Sequence, residues 1–280
     1  MEALIPIDRL GSLPDDLIGS ILSSLNLKDQ AKTSVLAKKW KYIWLSVSNI
    51  LIDQNQFVGQ NDVKSVRHRK TKKFKKTIDR VMASDTPLDT LDISITFAID
   101  NNTLNLWILR AVRRNVWKIS LSISKEDDNG PFEFPAILPL FPAFKSLTME
   151  SYFDVMSIPI CRYLEELCLF QTNFGEDRDL YLQFSDFFSL KKIELEDVND
   201  ALRLTIVSPN LKTLVLHGAR NLQELRIITP VISDFYFIKK FENLVPELLH
   251  LGFFHTTSSQ WCRCSVPNNA DFLIRFPPFL

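Results

Sequence analysis

The sequence predicts an α/β chain: a small helical module at the N-terminus, then a degenerate repeat whose short strands stack in parallel into a sheet lining a concave face. Three observations predict it. A broad apolar stripe with helical spacing opens at Leu13, a template of apolar residues at i, i+3 and i+5 recurs from residue 88, and part of that template maps onto itself at a shift of 21 residues. With 280 residues, 46% of them hydrophobic, the chain can bury a sizeable core, and its small opening module implies at least two structural units.

The first helix follows from Leu13-Pro14-Asp15-Asp16-Leu17-Ile18. Leu13, Leu17, Ile21 and Leu25 recur at steps of four, with Ile18 and Leu22 beside them, which puts six large aliphatics on one helical face. That face is too wide for a segment this short to cover. Pro14 suits the first turn, where the backbone donor it lacks would be unpaired anyway. Ser12 and Asp15 have capping-box spacing, a further start signal. Lys28 to Leu36, ending on Val35 and Leu36, reads as a second short helix, and Lys38 to Leu45, carrying Trp40 and Trp44, as a third. A unit of under fifty residues buries little surface, so a partner or the rest of the chain is expected to cover the remainder.

The densest charge run follows: Lys64, Arg67, Arg69, Lys70, Lys72, Lys73, Lys75 and Lys76, with His68 among them. Phe74, Ile78, Val81 and Met82 come at helical spacing, so the second half reads as an amphipathic helix with lysines on its wet face and the first half as linker. An import signal and a nucleic-acid footprint are the functional alternatives. Apart from Phe74, the run lacks the interleaved aromatics that stacking on bases needs.

The repeat appears as Leu88/Leu91/Ile93, Val116/Ile119/Leu121, Phe144/Leu147/Met149, Leu164/Leu167/Leu169 and Leu190/Ile193/Leu195. It continues as Leu211/Leu214/Leu216, Leu222/Leu225/Ile227, Ile232/Phe235/Phe237 and Leu248/Leu251/Phe253. In the self-match, Leu204, Ile206, Val207, Ser208, Pro209, Leu211, Leu214 and Leu216 correspond to Leu225, Ile227, Ile228, Thr229, Pro230, Ile232, Phe235 and Phe237, the Ser/Thr-Pro pair marking a turn. A period of this length with this template is that of leucine-rich repeats. Each short strand needs its neighbours to bury its inner face, so parallel strands stack into a solenoid. The longer early intervals leave room for an outer helix, as in the amphipathic run Leu104 to Val112, or for a loop, as in Lys125 to Phe134. The concave face is the expected recognition surface, and its C-terminal half, with Glu224, Arg226, Asp234, Tyr236 and His250, is the candidate substrate face.

After His255 the template is lost, and the chain closes on Trp261-Cys262-Arg263-Cys264 and Phe276-Pro277-Pro278-Phe279-Leu280. The last repeat is therefore expected to stand without a cap, which solenoids need for solubility.

Composition excludes other classes. The 33 basic and 33 acidic residues balance, which gives no global pull toward nucleic acid or membrane. Seven glycines form no phosphate-cradling loop, and no GxSxG, HExxH or Walker pattern assembles a nucleophile, base or metal site. Cys262-x-Cys264 falls short of a zinc site, and Cys161 and Cys168 occupy apolar repeat positions as buried thiols. The absence of a signal peptide or an apolar run of spanning length leads to the expectation of an intracellular protein, cytoplasmic or nuclear, with no cofactor.

The segments Leu13-Pro14-x-x-Leu17-Ile18-x-x-Ile21-Leu22-x-x-Leu25 and Thr33-Ser34-Val35-Leu36-Ala37-Lys38-Lys39-Trp40-Lys41-Tyr42-Ile43-Trp44 resemble the plant F-box/leucine-rich-repeat (F-box/LRR, FBD-type) family. Ala37 stands where the family usually has Ser, and Asn26 where a proline is common, a change expected to alter the stiffness of the turn and to remove no contact. The phrasing of Phe144 to Leu147 and Leu190 to Val198 extends the resemblance over roughly residues 8 to 253.

The resemblance implies an F-box over residues 1–52, a basic linker and helix over 53–85, a repeat solenoid over 86–255 and an atypical tail over 256–280. It further implies the substrate-recognition subunit of an SCF-type ubiquitin ligase, docked on a Skp-type adaptor and through it on cullin and RING subunits, with no catalysis of its own. Leu13, Pro14, Leu17, Ile18, Ile21, Leu22, Leu25, Val35, Leu36, Trp40 and Trp44 would then form the adaptor-binding set. The alternative is a non-ligase repeat scaffold, or a decayed, truncated member of the family. Nucleic acid and membrane are not expected partners.

Overall fold

The computed structural model describes residues 12–33, 40–43, 47–97, 99–124, 134–135, 138–151, 158–170, 179–196, 198, 201–218, 221–229, 234–238, 254–258, 261–264 and 272–275. The chain divides into two compact units, residues 1–117 and 118–280.

In the first unit, helix α1 (Asp15–Ser23) starts one residue later than the sequence suggests. Pro14 occupies the N-cap with extended backbone (φ −56°, ψ 148°) and makes no side-chain cap, and Asp15 and Asp16 in the first turn suit the positive end of the helix dipole. The hydroxyls of Ser20, Ser23 and Ser24 donate back to the carbonyls of Asp16, Gly19 and Ile21, at 2.9, 2.7 and 2.7 Å.

Helix α2 (Leu27–Thr33) is opened by Asn26, whose Oδ1 accepts from the Asp29 amide at 2.9 Å while its Nδ2 donates to the Asp29 carboxylate at 2.7 Å. The residue read from sequence as altering only the stiffness of the turn is thus the helix cap. Gln30, nearly fully buried, donates from Nε2 to the carbonyls of Leu22 and Leu25 at 2.9 Å each, which satisfies the end of α1 from α2. Helix α3 is described over Trp40–Ile43, and the expected parts at Val35, Leu36 and Trp44 lie outside the described residues.

Strands β1 (Asn49–Asp53) and β2 (Thr90–Ile95) pair in parallel, with Ile50 opposite Leu91 and Ile52 opposite Ile93. Parallel pairing needs a crossover, which helix α4 (Lys64–Met82) supplies. The helix takes in the whole basic run, so the half expected to be linker is helical too. Its Phe74, Ile78, Val81 and Met82 are buried. Helix α5 (Asn101–Arg113) covers the amphipathic run expected from sequence, and the Trp107 ring meets Phe74 edge-on at 5.9 Å. Asp100 caps α5, its carboxylate accepting from the amide and hydroxyl of Thr103 at 2.8 Å each. Buried Gln54 accepts the amides of Thr96 and Phe97 through Oε1, at 2.9 and 2.7 Å.

The second unit contains strands β3 (Lys118–Ile123), β4 (Ser146–Ser151), β5 (Glu166–Phe170), β6 (Asp179–Gln183), β7 (Lys192–Glu196) and β8 (Arg203–Val207). They are followed by β9 (Thr213–His217), β10 (Glu224–Ile228), β11 (Asp234–Ile238), β12 (Phe254–Ser258), β13 (Trp261–Cys264) and β14 (Phe272–Arg275). One sheet runs β3-β4-β5-β7-β9-β11-β13-β12, and a second runs β14-β10-β8-β6. From β5 to β11 the chain alternates between them.

The template residues are the buried ones. Leu147, Met149, Leu167, Leu169, Ile193, Leu195, Leu214 and Leu216 of the first sheet and Leu204, Ile206 and Leu225 of the second are fully buried. Neighbouring turns are also laced at their entry: the Lys145 carbonyl accepts from the amides of Glu165 and Glu166, that of Glu165 from Lys191 and Lys192, and that of Lys191 from Lys212 and Thr213, all within 3.0 Å.

Two expectations are corrected. The parallel sheet forms, but the expectation of one strand per repeat does not hold, because β6, β8 and β10 form a second sheet with β14. The self-match at 21 residues is the register of both: Leu225 stands opposite Leu204 in the second sheet and Phe235 opposite Leu214 in the first. The tail, expected to leave the last repeat uncapped, supplies strands instead. β13 pairs antiparallel with β11, and β14 antiparallel with β10. The hit at Leu248/Leu251/Phe253 lies outside the described residues, as does nearly all of the expected loop from Lys125.

Candidate functional site

The aliphatic face of α1 divides in two. Ile18 and Leu22 are fully buried, whereas Leu17 is 53% and Ile21 41% exposed. Pro14 is exposed as well, and Leu13 and Leu25 are half-buried. Pro14, Leu17 and Ile21, at i, i+3 and i+7, therefore form an apolar ridge along the outside of the helix, with Ile18 and Leu22 as its footing.

The footing is completed by α2 and α3. α1 and α2 each pack on α3, and α2 packs on β1. Trp40 is 3% exposed and Ile43 9%, and among the described residues the indole Nε1 of Trp40 has no hydrogen-bond partner. Lys28 donates to the Gln56 carbonyl, tying α2 to the turn after β1. Of the expected adaptor-binding set, the structure exposes Pro14, Leu17 and Ile21, half-covers Leu13 and Leu25, and uses Ile18, Leu22 and Trp40 as packing beneath them. Fully burying an exposed aliphatic is worth about 1.5–3 kcal/mol, so the two half-exposed side chains of the ridge offer a partner about half of that each.

The candidate substrate face is not assembled as expected. Glu224 and Arg226 lie on β10 in the second sheet, while Asp234 and Tyr236 lie on β11 in the first. His250 lies outside the described residues. Consecutive repeat hits belong to different sheets here, so residues close in sequence do not share a face.

Polar groups converge instead on β5, β7 and β9. The Glu194 carboxylate accepts from Lys192 Nζ at 2.8 Å, meets His217 Nε2 at 3.2 Å and accepts a long contact from the Cys168 thiol at 3.7 Å. Burial alone would raise the Glu194 carboxyl, but Lys192 and then His217 bring it below its ordinary value. Burial, with the Glu194 charge next, pushes the Cys168 thiol up to about 11, and burial pushes Cys161 up to about 12. Both thiols are thereby held in the unreactive protonated form. One strand over, Ser146 Oγ donates to Glu166 at 3.1 Å.

The candidate substrate face expected from sequence lay in the C-terminal group and did not include Lys192 and Glu194. The missing signal was the register, which sets Cys168 opposite Glu194 and Glu196 opposite His217. Among the described residues no group of three or more side chains could hold a metal ion.

Residues 10–51 match the F-box domain. Over 234 residues the chain is 28% identical to a putative F-box protein of Arabidopsis thaliana, a match spanning 73% of this chain and 50% of that protein. It is 35% identical over 119 residues to a putative F-box/LRR-repeat protein of the same plant, covering 42% of this chain and 26% of the relative. It is 26% identical over 314 residues to an F-box/LRR-repeat protein, covering 97% of this chain and 62% of the relative. The chain thus carries an F-box domain at its N-terminus and has homologues among plant F-box and F-box/LRR-repeat proteins, of whose length it spans between about a quarter and 62%.

Proposed function

We propose, with the N-terminal F-box domain and the F-box/LRR-repeat relatives as premise, that this protein is a non-catalytic substrate receptor of an SCF-type ubiquitin ligase. In this reading α1 docks on a Skp-type adaptor, which links the chain to cullin and RING subunits, and the strands of the second unit, read as a leucine-rich-repeat solenoid, hold a protein substrate. The contribution to rate is proximity: the receptor holds a substrate near a ubiquitin-charged enzyme and leaves the bond chemistry to other subunits.

The observation that carries the reading is the ridge of Pro14, Leu17 and Ile21. It lies within the segment that matches the F-box domain, and it leaves large aliphatics in water while their neighbours Ile18 and Leu22 are fully covered. A scaffold that used this helix only for packing would have no need of its outer row. The parallel strands and their 21-residue register support the repeat reading of the second unit.

The test is capture of the full chain by a purified Skp-type adaptor, with Leu17→Ala/Ile21→Ala beside the native protein. Loss of two of the three ridge side chains is expected to weaken capture at least tenfold while circular dichroism and the unfolding midpoint stay unchanged. Failure of the folded native chain to bind any such adaptor sinks the receptor reading and leaves a repeat scaffold.

A further inference from the structure

The charge of the chain is zero overall, yet one face of α4 is a run of cations without counter-charge. Lys64, His68, Lys72 and Lys76 recur every four residues, and Arg69 and Lys73 lie beside them, all six exposed. At 1.5 Å per residue the longer row is about 18 Å long, with about 6 Å between successive side chains, three of them lysines. Among the described residues none of the five cations, Lys64, Arg69, Lys72, Lys73 and Lys76, has an ion-pair or hydrogen-bond partner for its charged group.

Three carboxylates on or beside the helix are engaged with other partners. Asp62 accepts from Lys70 at 2.8 Å and from the Gly59 amide at 2.7 Å. Asp100 accepts from Lys75 at 2.6 Å. Asp79 accepts from the Trp107 indole at 2.8 Å and lies 3.9 Å from Arg110. Lys70 and Lys75 are thereby drawn to the sides of the helix, and the crest between them stays bare. The opposite face is fixed in the core by Phe74, Ile78, Val81 and Met82, so the cations sit on a rigid platform.

We propose that this face is a second docking surface, taking an extended, carboxylate-rich segment of a partner protein. Alternate side chains of an extended chain recur every ~6.7 Å on one side, close to the spacing of the row. Nucleic acid fits less well. Phosphate is favoured by the planar fork of arginine, and one of the six residues is arginine; base stacking needs aromatics, and the face has none. The surface is independent of the α1 ridge and stands whether or not that ridge binds an adaptor.

The test is fluorescence anisotropy of the full chain with a short labelled peptide alternating Glu and Ser, run beside a labelled DNA duplex. Binding of the peptide is expected to weaken about tenfold between 50 and 200 mM salt, because the pairs are exposed and screened. Lys72→Glu/Lys76→Glu is expected to weaken it at least tenfold further, and Lys72→Gln/Lys76→Gln by less. Arg113→Glu/Arg162→Glu, the same charge change on exposed residues elsewhere, is expected to stay within twofold. Folding of each variant is read by circular dichroism. Absence of peptide binding, equal loss in the Arg113/Arg162 control, or binding of the duplex alone overturns the proposal, the last in favour of a nucleic-acid surface.

Discussion

Asp100 shows how much a single side chain can hold together. It caps α5 through Thr103 and accepts an ion pair from Lys75 of α4, and with Lys75 as the largest cause its carboxyl is lowered to about 2. A carboxylate lowered in the folded state stabilises above its unfolded pKa of about 3.9, and that contribution is lost as the pH falls from about 4 toward 2. Asp100→Ala is expected to cost about 1 kcal/mol at neutral pH through the lost cap. Asp100→Asn keeps the cap and removes the charge, so its deficit relative to the native chain is expected to shrink between pH 5 and pH 2 in urea unfolding. A deficit that is constant across that range would show that Lys75 contributes nothing to stability. Asn26 carries a similar lesson in reading. Asn is among the preferred N-cap residues, but comparison with a proline directed attention to stiffness instead of to the side-chain oxygen.

At the scale of elements, a period reveals which face of a helix is apolar but not how much of that face its neighbours cover. The apolar face of α1 was legible in the sequence, while the division between Ile18/Leu22 and Leu17/Ile21 depends on which side of the helix its neighbours cover. That division makes a prediction: Ile18→Ala is expected to cost about 2–5 kcal/mol in unfolding free energy, as for other large-to-small core changes, while Leu17→Ala is expected to be near neutral until a partner is present. Similar costs for both would mean that the outer row is packed against the chain itself. The parallel strands of the first sheet, β3, β4, β5, β7, β9 and β11, were legible because each meets the full template. β8 escaped because its first position is Ala201, too small to register, although Leu204 and Ile206 are fully buried. β6 escaped because its first position is Asp177, a charged residue, although Leu180 and Leu182 fill the other two. Of the second sheet's parallel strands only β10, with Leu222, Leu225 and Ile227, meets the template, so it read as one more strand of the first sheet and Glu224 and Arg226 were grouped with Asp234 and Tyr236.

For the whole molecule, the two units raise different questions of surface. In the first, large aliphatics and unpaired cations lie outside a core built on Phe74 and Trp107. In the second, the outward groups of β5, β7 and β9 are mostly bound to one another, so a substrate that used Glu194 would have to compete with Lys192 and His217 for it. The antiparallel pairing of β13 and β14 occupies the last parallel strand of each sheet, which answers in backbone hydrogen bonds a need that the tail sequence, with no repeat left in it, did not announce.

The shared register of the two sheets governs how this chain can change in length. A step of 21 residues advances both sheets by one strand, since Leu204 and Leu214 are followed by Leu225 and Phe235 in the same phase. Excision of residues 208–228 would carry β8 directly to Thr229-Pro230, set Ile193 opposite Phe235 and Leu204 opposite Ile274, and leave every inward side chain inward. Excision of half that block would leave one sheet a strand short and turn the other out of phase. The full-step deletion is expected to remain monomeric with a cooperative unfolding transition, and the half-step deletion to aggregate, as read by light scattering and circular dichroism. Like a gear that accepts only whole teeth, the second unit admits evolutionary gain or loss in quanta, and the unit of inheritance is the pair of strands.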